Sequence, residues 1–199
     1  MSENNMFSPD EINNFTEILS TRLKPKRFQH SMRVAYLSAY LAPFYGIDVS
    51  KATVTGLLHD IAKEILPETQ IKMCDENGIV LSETERELPH LIHGKLGAFI
   101  LKQEFNITDP DILNAITYHT VGRPDMSNLE KIIFSADFLE PGREFTCNPS
   151  LNDLRLMIFT DIDKTVAYIL KNTFEYLNEK SQKIDTSSLN TYNWYKRFL

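Results

Sequence analysis

Apolar residues recur at three- and four-residue spacing along almost the whole chain, and strand-like alternation is nearly absent. Ile12, Phe15, Ile18 and Leu19 make one stripe, Val34, Leu37 and Leu41 a second, Ile112 and Ile116 a third. Each stripe covers one side of a helix and must be buried against another, so the expected fold class is all-α. Helix starts are marked by Pro9 and Asp10, by Pro25, by Ser50 and by Pro67, and Gly78 closes the fourth helix. Further helices are expected at about 90–104, 109–118, 128–139 and 151–179. The last carries Leu154, Ile158, Ile162, Val166, Ile169 and Phe174 as one packing stripe. The tail from Ser181 to Asn193 is polar and reads as irregular, whereas its aromatic end, Tyr192, Trp194, Tyr195 and Phe198, reads as docked.

The 199 residues contain no linker or second hydrophobic unit, so one domain over 1–199 is expected, with a core at about 20–180 and the polar tail at 181–199. A net charge of −6 argues against a nucleic-acid partner, whose phosphates need a broad basic surface; any bound polyanion is then small. Cys74 and Cys147 lie far apart without a CxxC pair, which suits a reducing cytoplasm and makes neither a nucleophile. The start, MSENNMFSPDE, is acidic and polar, and no apolar run approaches the roughly 20 residues that span a bilayer. A soluble cytoplasmic protein with no membrane partner is expected.

Chemistry is concentrated where the apolar run Ala52, Val54, Leu57, Leu58 ends in His59 and Asp60, with Lys63 three residues on. An imidazole, a carboxylate and an ammonium are costly to bury together unless something binds them, and a divalent metal beside a phosphate would do so. On a helix His59 and Lys63 are i,i+4 and Asp60 and Lys63 i,i+3, which would hang the cation over two ligands. His30, with Val34 and Leu37 on its face, reads alone as a core histidine held by one hydrogen bond. It is not alone, because Asp137 lies in the apolar run Ile132 to Leu139, where its carboxylate needs a metal or an arginine.

His30, His59, Asp60 and Asp137 offer two imidazoles and two carboxylates, a set suited to iron, manganese or zinc. His93 and His119 face the same core by pattern, as ligands of a second ion or as phosphate contacts that transfer protons. His90 reads as a solvated or capping residue. Among the cations, Lys63, Arg143 beyond Glu140-Pro141-Gly142, and Arg27 on the face of His30 are candidates to line an anion pocket. The turn His119-Thr120-Val121-Gly122 adds a hydroxyl and flexible backbone.

The order His30, His59-Asp60, Asp137 resembles the HD-domain metal-dependent phosphohydrolases. It is closer still to their YqeK family, through Arg27-Phe28-Gln29-His30-Ser31, Leu58-His59-Asp60-Ile61-Ala62-Lys63, His93-Gly94, His119-Thr120-Val121-Gly122 and Ala136 through Arg143. The resemblance implies an HD-domain helical bundle that hydrolyses diadenosine tetraphosphate symmetrically into two ADP. It implies that His30, His59, Asp60 and Asp137 hold an iron-type metal. It also sets the ADP phosphates against Asp60, Ile61, Ala62, Lys63, His93, His119, Asp137 and Arg143, with Arg27 as a neighbour. Asp60, Lys63, His93 and His119 are then the catalytic group: Asp60 orients a water ionised at the metal, and His93 or His119 protonates the leaving phosphate oxygen. In the tail, Ile184 to Asn193 resembles the family's adenine-side segment, with Asp185-Thr186 in place of the usual His-Pro. Rival readings are an HD hydrolase of guanosine tetraphosphate, cyclic dinucleotides or deoxynucleoside triphosphates, and a non-catalytic nucleotide-binding module. The partner is a small-molecule nucleotide; oligomeric state is open, homodimer included.

Overall fold

The computed structural model describes residues 6–199, so Met1 to Asn5 of the acidic N-terminal stretch lie outside the described residues. Helix α1 (Pro9–Arg22) starts on a capping box, in which Ser8 Oγ accepts from Glu11 N at 3.3 Å and Glu11 Oε2 from Ser8 N at 2.8 Å. Helix α2 (Pro25–Leu41) starts on its proline. Helix α3 (Val49–Leu58) is capped by Asp48, not Ser50, whose hydroxyl instead donates to Asp48 Oδ1 at 2.6 Å. Helix α4 (Pro67–Glu76) ends just before Gly78, and a short α5 (Glu83–Glu87), absent from the sequence reading, follows. Helix α6 (His93–Glu104) starts later than expected because Pro89–Leu91 forms a 3-10 turn. Helices α7 (Pro110–Tyr118) and α8 (Asn128–Leu139) lie where their spacing puts them.

Two expectations fail. The helix expected over 151–179 is two helices, α9 (Leu151–Met157) and α10 (Ile162–Glu179). The chain turns through Thr160 and Asp161, whose amides both donate to Met157 O at 2.9 Å, and Asp161 Oδ1 then caps α10 by accepting from Lys164 N at 2.9 Å. Leu154, Ile158, Ile162 and Val166 stay buried across the break, so the apolar period runs on through it. The tail is not irregular: Asp185 Oδ1 accepts from Ser187 N at 2.8 Å and Ser188 N at 3.2 Å and starts α11 (Thr186–Tyr195). It docks as its aromatic residues imply. Tyr195 is buried, with its hydroxyl accepting from Met126 N at 3.0 Å, and Tyr192 stacks on Phe174 at 4.9 Å between centroids.

No strand occurs among the described residues, and the protein is all-α. Helix α2 packs on α3 and α8, and α6 on α7. Leu57, Leu58, Leu96, Ile112, Ile116 and Ile132 fill the space between them. Among the described residues no helix is long and apolar enough to cross a membrane. This packing brings the end of α3, the start of α6, the end of α7, one face of α2 and the end of α8 to a common point.

Candidate metal and phosphate site

Three of the four histidines at this point are aimed by one local device. His59 caps the end of α3 and its Nδ1 lies 2.8 Å from Gly56 O; His119 caps the end of α7 with Nδ1 2.7 Å from Ile116 O; His93, first residue of α6, has Nδ1 2.7 Å from His90 O. In each case the partner is the carbonyl three residues back. A carbonyl only accepts, so each Nδ1 carries the proton and each Nε2 presents a lone pair. His30 sits inside α2, where backbone carbonyls are already bonded, and uses a side chain instead: its Nδ1 lies 3.1 Å from Glu140 Oε1. His30, His59, His93 and His119 are all buried.

The four Nε2 atoms surround the Asp60 carboxylate, which is 2 % exposed. Oδ2 lies 3.4 Å from His59 Nε2 and 3.8 Å from His30 Nε2, while Oδ1 lies 3.2 Å from His93 Nε2 and 3.6 Å from His119 Nε2. Asp137 Oδ1 closes the group at 3.0 Å from His30 Nε2 and 3.9 Å from His59 Nε2. The Nε2 atoms of His30 and His59 are buried without a hydrogen-bond partner, and those of His93 and His119 face each other at 2.9 Å. Lone pairs and carboxylate oxygens converging in one buried space repel one another unless a cation joins them, and imidazole with carboxylate suits a divalent transition metal. Three overlapping sets have all ligand atoms within 4.8 Å of one another: His30, His59 and Asp60; His59, His119 and Asp137; Asp60, His93 and His119. The ends of α3 and α7 add the negative pole of a helix dipole. The residues therefore fit a divalent metal.

The segment after His59 departs from the expected helix. Ile61 N donates to Leu58 O at 3.1 Å and Lys63 N to Asp60 O at 2.9 Å, which are the three-residue steps of tight turns. Lys63 does reach the site by that route, with Nζ 3.2 Å from His93 Nε2, and Ile61 and Ala62 are buried beneath it. Arg27 Nη1 donates to Asp60 Oδ2 at 2.8 Å, and Arg143 Nη2 to Asp137 Oδ1 at 2.7 Å. Asp137 is thus paired, and its side chain is 25 % exposed rather than fully enclosed. Thr120 Oγ1 lies 3.2 Å from His119 Nε2 and 3.3 Å from His93 Nε2. His90 is exposed and contributes its carbonyl alone. In the tail, Asp185 spends its carboxylate on capping α11. A cavity of about 510 Å³ opens where α11 meets the turn after His119, lined by Tyr118, Arg123, Ser187, Asn190, Asn193 and Trp194. Glu140 was missed as a site residue, although it follows Asp137 by three residues at the end of an apolar run.

Burial opposes ionisation of Asp60 and Asp137, but His59, His119 and His93 around the first, and His30, His59 and Arg143 around the second, hold both carboxyls well below their usual range. Burial also disfavours a charged His59, yet Asp60 and then Asp137 outweigh it and raise its pKa. For His93 burial wins, against the Asp60 contact, and pushes it down to about 4. Burial lowers Lys63, with Asp60 opposing.

These shifts set the acid response of the metal-free chain. Unfolded His93 takes up a proton near 6.5 and folded His93 near about 4, so the unfolded state binds more protons between those values and stability falls as pH drops through that window. Asp60 and Asp137 add stability that is lost only at still lower pH, through their folded values. The raised His59 acts the other way, its contribution being lost as pH rises through its folded pKa. Thermal midpoints measured at a series of pH values should therefore decline less steeply below pH 6.5 in His93→Asn than in the parent; equal slopes would contradict the assignment.

An HD domain family model matches residues 27–142. A symmetrical bis(5'-nucleosyl)-tetraphosphatase of Bacillus subtilis is 34% identical over 173 residues, covering 87% of this chain and 91% of that protein. One from Staphylococcus aureus is 36% identical over 178 residues, covering 87% and 89%. The crystal structure of a predicted HD superfamily hydrolase involved in NAD metabolism, from Clostridium acetobutylicum, superposes with a TM-score of 0.88 at 36% identity, covering 97% of this chain and 99% of that one.

Proposed function

Because the chain belongs to the HD-domain family, and within it to the symmetrical bis(5'-nucleosyl)-tetraphosphatases, we propose that residues 1–199 act as one domain that opens the central P–O–P bond of diadenosine tetraphosphate. The protein is a metal-dependent phosphohydrolase. One water is consumed, its oxygen joins one phosphorus of the central bond, a proton goes to the departing phosphate oxygen, and two ADP result. The carrying observation is the convergence of four Nε2 lone pairs on Asp60 and Asp137, with Arg27, Lys63 and Arg143 on the rim.

His30, His59, Asp60 and Asp137 would hold the metal, iron as the family resemblance implies, in a donor set that suits manganese and zinc as well. Asp60, His93 and His119 form the set for a second ion. A bound divalent ion supplies Lewis-acid stabilisation of phosphoryl oxygen and ionised water near neutral pH. Lys63, Arg143 and Arg27 neutralise phosphate charge as it shifts to the departing oxygen, and the backbone of Ile61 and Ala62 forms the floor against which phosphate rests. Asp60 orients the attacking water. Burial keeps His93 neutral near pH 7, which favours it as a lone-pair donor, and His93 or its neighbour His119, 2.9 Å away, passes the proton to the departing oxygen. The cavity between Tyr118 and Trp194 has the size and lining for a nucleoside, with the Asn190 and Asn193 amides for a base edge. Free Cys74 and Cys147 accord with a reducing cytoplasm.

The test is product analysis. Manganese-loaded protein with diadenosine tetraphosphate should yield ADP alone. ATP plus AMP would indicate asymmetric attack. No product, with turnover of NAD or guanosine tetraphosphate in parallel arms, would overturn the substrate.

A further inference from the structure

We infer that Glu140 is a positioning residue that fixes the tautomer of His30 and strengthens it as a metal ligand. The inference rests on the metal reading above. His30 cannot use the device that aims His59, His93 and His119, because at mid-helix the preceding carbonyls are taken. Glu140 stands in for that carbonyl with Oε1 at 3.1 Å from Nδ1, and it differs in kind: it is a carboxylate, 2 % exposed. A carboxylate on Nδ1–H keeps the proton there and pushes electron density to Nε2, the atom left without a partner beside Asp137.

The rest of Glu140 is fully engaged and cannot turn away. Oε2 accepts from Arg33 Nε and from Gly142 N at 2.5 Å, and Oε1 also accepts from Arg33 Nη2 at 3.3 Å. Its backbone carbonyl accepts from Arg143 N at 2.9 Å and Arg155 Nη2 at 3.0 Å. A Cβ at Gly142 would lie 2.6 Å from the Arg33 guanidinium, so a side chain there would displace Arg33 from Glu140. Glu140 follows Asp137 by one helical turn, so it ties the α8 ligand to the α2 ligand across the site. In Glu140→Gln one side of the amide must point N–H at a donor, either His30 Nδ1–H or the Arg33 and Gly142 N–H groups, and the carboxylate charge that faces the imidazole is lost either way.

Two readouts on the full-length chain test this. In the metal-free protein, nitrogen NMR of the histidine rings should report a proton held on His30 Nδ1 in the parent and a smaller Nδ1–H population in Glu140→Gln, where only Asp137, on Nε2, still competes for the proton. By titration with manganese alone, Glu140→Gln should bind roughly 10–100-fold more weakly than the parent. Arg33→Met, which keeps the carboxylate, should bind as the parent does. The double variant Arg33→Met/Glu140→Gln strands no buried charge, so it keeps the test open even if the single variant fails to fold, and it should still bind weakly. An unchanged His30 tautomer and unchanged affinity in the Gln variants, or equal loss in Arg33→Met, would overturn the role of Glu140. A parent that shows the tautomer but binds no manganese would overturn the metal reading instead.

Discussion

Asp60→Asn is expected to lower kcat by about 10³-fold or more, a loss of about 4 kcal/mol of transition-state stabilisation, and to strip the divalent ion from the chain. The reason is placement. Oδ2 of Asp60 faces His59 and His30, Oδ1 faces His93 and His119, and Arg27 rests on the same carboxylate. The amide has the same shape, but it carries no charge and puts N–H where lone pairs converge. The helical fold should persist, because the packing of α2, α3, α7 and α8 rests on apolar residues elsewhere, and Arg27, 29 % exposed at its side chain, can turn to water. His59→Ala should act similarly, since it removes a ligand and leaves the core standing. Metal content by mass spectrometry, far-ultraviolet circular dichroism and the product assay check both variants together. Retained turnover in either one would refute the site.

Gly94→Ala should cost about 2–3 kcal/mol, or roughly 5–10 °C in thermal midpoint for a chain of this size, and damage the site as well. A Cβ at Gly94 would lie 2.7 Å from Thr117 O and 2.9 Å from Ile116 O. Both are backbone atoms of α7 and cannot swing aside, so α6 and α7 must separate. Ile116 O also accepts from His119 Nδ1, so the same displacement unseats that ring and opens the 2.9 Å approach of His93 to His119. A calorimetric melt with a manganese titration would show both losses. An unaltered midpoint would mean that the two helices are not packed at this distance.

Much of this was legible in the sequence, for identifiable reasons. The convergence of His30, His59, Asp60 and Asp137 was readable because polar groups on apolar helical runs must meet a partner. Lys63, Arg143 and Arg27 were found through their spacing to those residues, although Lys63 arrives by turns rather than along a helix. The break before Ile162 was hidden because the buried stripe keeps its period through it. Helix α11 was hidden because its polar composition resembles a loop, and only the cap at Asp185 and the buried Thr191 and Tyr195 disclose it. Glu140 was overlooked because a carboxylate beside Pro-Gly reads as a helix stop, and its contact with His30 spans 110 positions in the chain.

The three rings that lean on their own preceding turn make much of this centre modular. Each such imidazole brings its alignment with it from the short stretch of chain it sits in, so connecting loops are free to lengthen or drift without detuning it. His30 has no such independence, and its orientation survives only while a distant strip of chain keeps pace with it.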